Sequence, residues 1–404
     1  MFFRYDIAQF CFTFPKNRFM SFPHLSEVLK ILDGALKSNA TMSTNYAGLL
    51  ADKLEQAGER EQAMRIRERL ARAPTAIAHA QDASRAGFGL PIDIESRLET
   101  VDESLPAKNS IQLHLPSGTA ARIADFLESV RHYDELRAAR SATPLRLLMF
   151  GLPGTGKTQT AKWIASELQL PLLTVRCDTL ISSLLGQTSK NLRRVFDYVE
   201  QRPCVLLLDE FDALGNARGS ERDIGELQRV VIALLQNIDA LSDNVIVIAA
   251  SNHEKLLDPA IWRRFPFQIP MPLPDPALRD DMWTALLGSY APADLDWNAL
   301  IEKSVGASGA LIEQIVLDTK RKSILSGAPQ VDKGDLFRRL ALALALSAGR
   351  SLATIGDEIR WLREWDAKTF SLRELARLYN TSTRQINHLI KGDHGDEGKY
   401  TRTR

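Results

Sequence analysis

The feature that most limits the possible folds of this chain is the octapeptide Gly151–Thr158, which has the pattern Gly-x4-Gly-Lys-Thr. An apolar run at Leu145–Phe150 leads into it, and a helical pattern over Ala161–Leu168 follows it. A strand, a glycine-rich turn and a helix are the context in which this pattern binds the phosphates of a nucleotide. The glycines let backbone N–H groups approach phosphate oxygens closely, and the helix N-terminus adds partial positive charge.

The sequence therefore predicts a site for ATP or ADP in this loop. Its residues are Gly151, Leu152, Pro153, Gly154, Thr155, Gly156, Lys157 and Thr158. Lys157 is expected to reach the β- and γ-phosphates, and the Thr158 hydroxyl is expected to ligate Mg²⁺.

A second nucleotide motif lies at Val205–Glu210, where four apolar residues precede Asp209 and Glu210. A buried strand there would deliver two carboxylates at its carboxyl end. Asp209 is expected to position Mg²⁺, directly or through water, and Glu210 to polarise the attacking water. Two acids after a strand can be an ordinary solvated loop, but downstream of a phosphate loop they favour ATP hydrolysis.

Composition restricts the class of protein further. A chain of 404 residues suggests two to four domains, and its 51 basic and 50 acidic residues nearly cancel, so any nucleic-acid binding must be local. The spacing of Cys11, Cys177 and Cys204 fits neither a disulfide framework nor a metal site, which favours a cytoplasmic protein. No apolar run reaches the roughly 18 residues of a spanning helix, so no membrane contact is expected. The aromatic-rich start lacks a signal-peptide pattern, and translation starting at Met20 is the alternative.

Apolar β runs alternate with amphipathic helices between residues 145 and 272. The expected strands are Leu145–Phe150, Leu172–Arg176, Val205–Leu208, Val245–Ala250 and Phe267–Ile269. This alternation predicts an α/β fold in which a parallel sheet has helices on both faces. The expected segments are a helical N-terminal domain (1–72), a linker with short strands (73–115), a large P-loop subdomain (116–274), a small all-helical lid (275–346), a small C-terminal helical module (347–392) and a mobile tail (393–404).

The stretch Tyr46–Leu70 reads as one helix–turn–helix unit of the tetratricopeptide kind, with its turn at Gly58. A single unit of this kind cannot bury its own apolar face. The unit is therefore either a cap on the rest of the chain or a domain that docks a protein client or partner.

Taken together, these motifs make residues 116–346 resemble the AAA-family ATPases, the hexameric remodelling branch of the P-loop ATPases. Three more stretches carry the resemblance, namely Val245–Asn252 (the sensor-1 strand), Leu257–Phe265 (the second region of homology) and Gly306–Ala310 (the third lid helix). The resemblance implies that the chain forms a homo-hexamer. It also implies that Asn252 orients water near the γ-phosphate, and that Arg263 and Arg264 act as fingers at a neighbouring subunit's nucleotide.

In remodelling members of the family, a pore loop follows the second strand. Two departures from the family pattern concern this loop. Leu184–Leu185 stand where remodelling members usually carry an aromatic residue, and Gln187 replaces the usual acid after Gly186. An aliphatic pair offers less contact area than an aromatic ring, so threading of a substrate is less well supported than ATP hydrolysis. Residues Gly215–Gly225 resemble a second, charged pore loop.

Residues Ser371–Lys391 resemble a helix-turn-helix. Asn380 is expected to take the left-handed turn conformation, and Ser382 to cap the second helix. The side chains expected to face outward are Thr383, Arg384, Gln385 and His388, residue types that contact base edges or phosphates. Residues 369–392 are therefore a possible DNA contact.

Three functions fit these motifs. The first is an ATP-driven machine that remodels a protein or a protein–nucleic-acid complex. The second is an ATP-regulated, DNA-associated factor in regulation or genome defence. The third is a regulatory ATPase that works with a separate protease, since the sequence contains no His-Glu-x-x-His zinc motif.

Overall fold

The computed structural model describes residues 24–36, 39–71, 101–108, 111–177, 188–215 and 221–391. The expected aromatic-rich start, most of the linker, the pore residues Leu184–Leu185, Gly186 and Gln187, part of the second pore loop and the expected mobile tail lie outside these residues. Within the described residues, no helix combines the length and the apolar character that crossing a bilayer requires.

The centre of the structure is a six-stranded sheet. Its strands are β1 (Asp102–Ser104), β2 (Arg146–Phe150), β3 (Leu172–Arg176), β4 (Val205–Asp209), β5 (Ile246–Ser251) and β6 (Phe267–Pro270). Their order is β1-β3-β4-β5-β2-β6, and β2 to β6 pair in parallel, whereas β1 lies antiparallel to β3 at one edge. The expected α/β fold with a parallel sheet is confirmed, and the antiparallel edge strand is an addition to it.

Helices cover both faces of this sheet because successive strand residues point to opposite faces. On β4, Leu206 and Leu208 pack in one apolar core, and Val205 and Leu207 pack in another. The surrounding helices are α4 (Ser117–Arg131), α5 (Tyr133–Ala138), α6 (Lys157–Leu168), α7 (Thr188–Glu200), α8 (Glu221–Ala240) and α9 (Pro259–Trp262). Helices α4 and α5 meet at His132, where the backbone leaves the helical conformation.

Among the described residues, three helices precede the sheet, namely α1 (Leu25–Leu36), α2 (Ala40–Gln56) and α3 (Arg60–Ala71). They contact the sheet domain of the same chain through polar groups. Lys30, which is buried, forms an ion pair with Glu200 at the end of α7 and donates a hydrogen bond of 2.8 Å to Ser242 Oγ. Ser26 donates from its backbone N–H to Asp134 at 3.1 Å. The N-terminal helices therefore pack on the sheet domain of the same chain, and docking of a client or partner by the Tyr46–Leu70 unit stays a prediction.

Seven helices follow the sheet. They are α10 (Pro276–Leu287), α11 (Trp297–Lys303), α12 (Gly309–Ser326), α13 (Lys333–Ser347), α14 (Ile355–Trp365), α15 (Leu372–Leu378) and α16 (Thr383–Lys391). One apolar core runs through all of them, from Trp283 through Leu340 to Phe370 and Ile386. The predicted boundary between lid and C-terminal module lies between α13 and α14, and the two sides share this core.

An ion pair between Lys303 and Asp366 also joins α11 to the turn after α14. Burial of the Asp366 carboxyl acts to raise its pKa. Hydrogen bonds from Lys303 and Thr369 outweigh that effect and lower the pKa to about 2. Because the pKa of the folded state lies below the unfolded value of about 3.9, the pair stabilises the fold above pH 4. This contribution is lost as the pH falls towards 2.

We expect Asp366→Asn to lower the free energy of unfolding by about 1–3 kcal/mol at pH 7 and to have little effect at pH 2. Chemical denaturation at both pH values measures this. The matched control is Glu364→Gln, which removes an exposed partner of Arg350 and should cost under about 1 kcal/mol. Equal losses from the two substitutions at pH 7 would contradict the assignment.

Candidate active site

The phosphate loop connects the carboxyl end of β2 to α6. Gly151 and Gly154 have positive φ angles of 152° and 77°. A Cβ atom at Gly151 would lie 2.2 Å from the carbonyl oxygen of Met271, and one at Gly154 would lie 2.6 Å from Ser308 Oγ. Both positions therefore require glycine for two reasons, the backbone conformation and the closeness of neighbouring chain segments.

Lys157, the first residue of α6, bends back over this loop. Its Nζ donates to the carbonyl oxygens of Gly151 at 2.8 Å and Leu152 at 2.9 Å. Burial lowers the pKa of Lys157 to about 8, although the carboxylates of Asp209 and Asp212 act in the opposite direction. The ammonium group is thus held beside the loop where a phosphate would bind.

Thr158 and Asp209 are 51 residues apart in the sequence and in contact in the structure. Thr158 Oγ1 donates to Asp209 Oδ2 at 2.8 Å, and Asp209 Oδ1 accepts from the backbone N–H of Glu210 at 2.9 Å. A hydroxyl and a carboxylate are oxygen ligands of the kind that Mg²⁺ prefers. Mg²⁺ held by one or two protein oxygens is usually completed by phosphate oxygens and water.

Glu210 follows β4 directly and has a φ of +54°, a left-handed conformation that is uncommon for residues other than glycine. Such conformations cluster at active sites. Its carboxylate is partly exposed, and Oε2 lies 3.7 Å from Arg176 Nη2 at the end of β3. Arg176 belongs to none of the sequence motifs, although it ends a predicted neighbouring strand.

Asn252 follows β5, and Asp212 holds it there. The backbone N–H of Asn252 donates to Asp212 Oδ1 at 2.8 Å, and Ser251 Oγ donates to the same oxygen at 3.2 Å. The sequence motifs did not identify Asp212 as a site residue. Its position as a third acid, two residues after Glu210, is the signal that could have indicated it. Asn252, Gly151 and Leu152 line one cavity of about 810 Å³, together with residues 253–256.

The lid touches the same loop. Ser308 caps α12 by accepting from the N–H of Leu311, and the N–H of Ala310 donates to the carbonyl oxygen of Gly154 at 3.0 Å. The predicted lid motif at Gly306–Ala310 is therefore in direct contact with the phosphate loop.

Arg264 is held away from this cluster. Arg264 Nε forms an ion pair of 2.9 Å with Asp239, which also faces Arg146 Nη1 at 3.7 Å. Arg146 begins β2, and the phosphate loop follows the end of β2, about 13 Å away at 3.3 Å per residue. Arg263 is exposed and forms no ion pair with any described residue. The pair with Asp239 therefore does not bring Arg264 to its own phosphate loop.

Comparison with known proteins agrees with this geometry. Residues 147–273 match the model of the ATPase family associated with various cellular activities (AAA). The chain is 32% identical over 302 residues to the uncharacterized AAA family ATPase y4kL of Sinorhizobium fredii, which covers 75% of this chain and 90% of the relative.

Two longer relatives match over shorter stretches. The cell division cycle protein 48 homolog of Archaeoglobus fulgidus is 36% identical over 192 residues, 46% of this chain and 26% of the relative. The ATP-dependent zinc metalloprotease FtsH of Mycobacterium tuberculosis is 31% identical over 251 residues, 59% of this chain and 32% of the relative. This chain thus spans about a third or less of those two proteins. The y4kL relative, which this chain spans almost fully, and the matching family model show that the chain belongs to the AAA family of ATPases.

Proposed function

We propose that this ATP hydrolase assembles with copies of itself, completes each ATP site at a subunit interface, and uses hydrolysis to remodel a protein or a protein–nucleic-acid complex. The observation that carries the proposal is the separation of its catalytic groups. Lys157, Asp209 and Glu210 lie at the carboxyl ends of the strands. Arg264, with its partner Asp239 and the neighbouring Arg146, lies at the amino end of β2.

ATP would bind through the backbone N–H groups of the loop, the N-terminus of α6 and the ammonium group of Lys157. Thr158 and Asp209 would hold Mg²⁺, which neutralises phosphate charge when bound. Glu210 would accept a hydrogen bond from the attacking water and polarise it, and the Asn252 amide would help to orient that water.

The arginines would act on a neighbouring copy. An Arg side chain cannot span β2 to its own phosphate loop, because the strand is about 13 Å long and Asp239 holds Arg264 at the other end. An arginine supplied from outside stabilises charge in the transition state and raises the rate by roughly 10³–10⁵. Arg263, exposed and without an ion pair among the described residues, is free to play this part.

A DNA-associated factor is the second candidate function, favoured by the exposed Arg384 and Lys391 on α16. Work with a separate protease is a third, supported by the partial match to a relative named as a metalloprotease. Affinity capture with Glu210→Gln and ATP tests the role. Recovery of a peptidase as the main bound protein would favour the third candidate over the first.

We expect Glu210→Gln to reduce ATP turnover by at least about 100-fold while ATP still binds, because only the polarising carboxylate is lost. Lys157→Ala should weaken ATP binding by about 10–100-fold, because the loop loses a charged hydrogen-bond donor. Nucleotide-binding titrations and phosphate release measure the two effects. Binding of ATP by Lys157→Ala with wild-type affinity would contradict the site assignment.

Arg263→Ala is expected to lower turnover by about 10³-fold or more and to leave ATP affinity within about threefold of the wild type. Specific activity of the wild type should rise with protein concentration, because the site is completed by assembly. The matched control is Arg65→Ala, which removes an exposed arginine paired only with Glu61 on α3. Wild-type turnover in Arg263→Ala and Arg264→Ala alike would rule out the arginines as catalytic groups.

A further inference from the structure

On helices α14–α16 and their connections, the acidic side chains have partners, whereas several basic side chains form no ion pair with a described residue. Every acidic side chain between residues 348 and 391 has a partner, and the pairs are Asp357–Arg360, Glu358–Tyr379, Glu364–Arg350, Asp366–Lys303 and Glu374–Arg377. Four of these five carboxylates are neutralised by a cation, and Glu358 accepts a hydrogen bond from the neutral Tyr379 hydroxyl.

Four basic side chains in the same segment are exposed and form no ion pair with any described residue. They are Lys368, Arg373, Arg384 and Lys391. Since the paired charges largely cancel, these four cations leave the exposed surface with an excess of positive charge. Such a surface complements a polyanion.

One face of α16 collects polar and basic groups at helical spacing. Arg384, Asn387, His388 and Lys391 are all exposed. Asn387 and His388 lie three and four residues after Arg384, and Lys391 lies four and three residues after them, which places the four on one side of the helix. Ile386 on the opposite side is fully buried in the shared core. We call the exposed side, with its four residues, the α16 basic face.

The turn before α16 fixes the direction of this face. Asn380 has the expected left-handed φ of +48°, and Ser382 Oγ accepts from the N–H of Gln385 at 3.2 Å. Gln385 was expected to point outward, but its side-chain oxygen accepts from Thr381 and Ser382 within the turn. Its amide therefore helps to hold the turn, and the outward expectation for Gln385 is wrong.

From these contacts we propose that the α16 basic face binds duplex DNA, with Arg384 and Lys391 on phosphates. An α-helix with its side chains is about 10–12 Å across, which fits the major groove, about 12 Å wide, and α16 has nine residues to lay in it. Asn387 and His388, between the two cations, carry groups that form hydrogen bonds with base edges. The inference rests on the second candidate function and is independent of the ATP site.

The full chain is the right material for a test, because α14–α16 share their core with α10–α13 and a fragment would expose it. Binding of a fluorescent 30-base-pair duplex of arbitrary sequence is measured by anisotropy between 50 and 200 mM salt. The test variant is Arg384→Ala with Lys391→Ala. The control, Arg69→Ala with Lys108→Ala, removes the same charge from exposed positions elsewhere.

We expect salt-sensitive binding by the wild type, and a slope of log affinity against log salt that falls by about two in the test variant. Affinity at 50 mM salt should drop at least about tenfold in the test variant and change less than about twofold in the control. ATP turnover should be unchanged in both, which keeps this result separate from the ATP-site proposal. No duplex binding at 50 mM salt, equal losses in test and control, or tighter binding to polyglutamate than to the duplex would overturn the proposal.

Discussion

The parallel pairing of β2 with β5, and of β5 with β4, is the constraint on which the active site depends. Parallel strands bring their carboxyl ends to the same edge of a sheet, so the phosphate loop, Asp209 and Asn252 meet there. The hydrogen bond from Thr158 to Asp209 is a direct consequence. The same pairing places Arg146 and its neighbours at the opposite edge, which separates Arg264 from its own loop.

Much of the sheet and the loop could be predicted from the sequence because the signals are local. The run Leu172–Arg176 forms the expected strand to the residue, because Leu172, Leu173 and Val175 are apolar and Pro171 precedes them. The spacing of the glycines in the loop matches the phosphate-binding pattern, so the sequence alone indicates where the loop lies. The residues of the predicted site lie where these local patterns put them, although their chemical roles are still predictions.

Contacts between distant segments could not be predicted in this way. Asp212 supports Asn252, and Asp239 holds Arg264. In each pair the tertiary fold brings the two residues together, and their spacing in the sequence does not indicate the contact. The packing of α1 on the sheet domain depends on Lys30 meeting Glu200, 170 residues later. Similarly, the apolar residues of α14–α16 show that a core exists without showing that it is shared with the lid.

The most direct test of the central claim is a mixing measurement with two inactive variants. Lys157→Ala keeps both arginines but has an impaired ATP site, and the double variant Arg263→Ala, Arg264→Ala keeps its ATP site but lacks the arginines. If the arginines act on a neighbouring copy, the mixture should hydrolyse ATP faster than either variant alone, because some interfaces then combine an intact loop with an intact arginine pair. A mixture that forms joint assemblies and is no more active than its components would contradict the account.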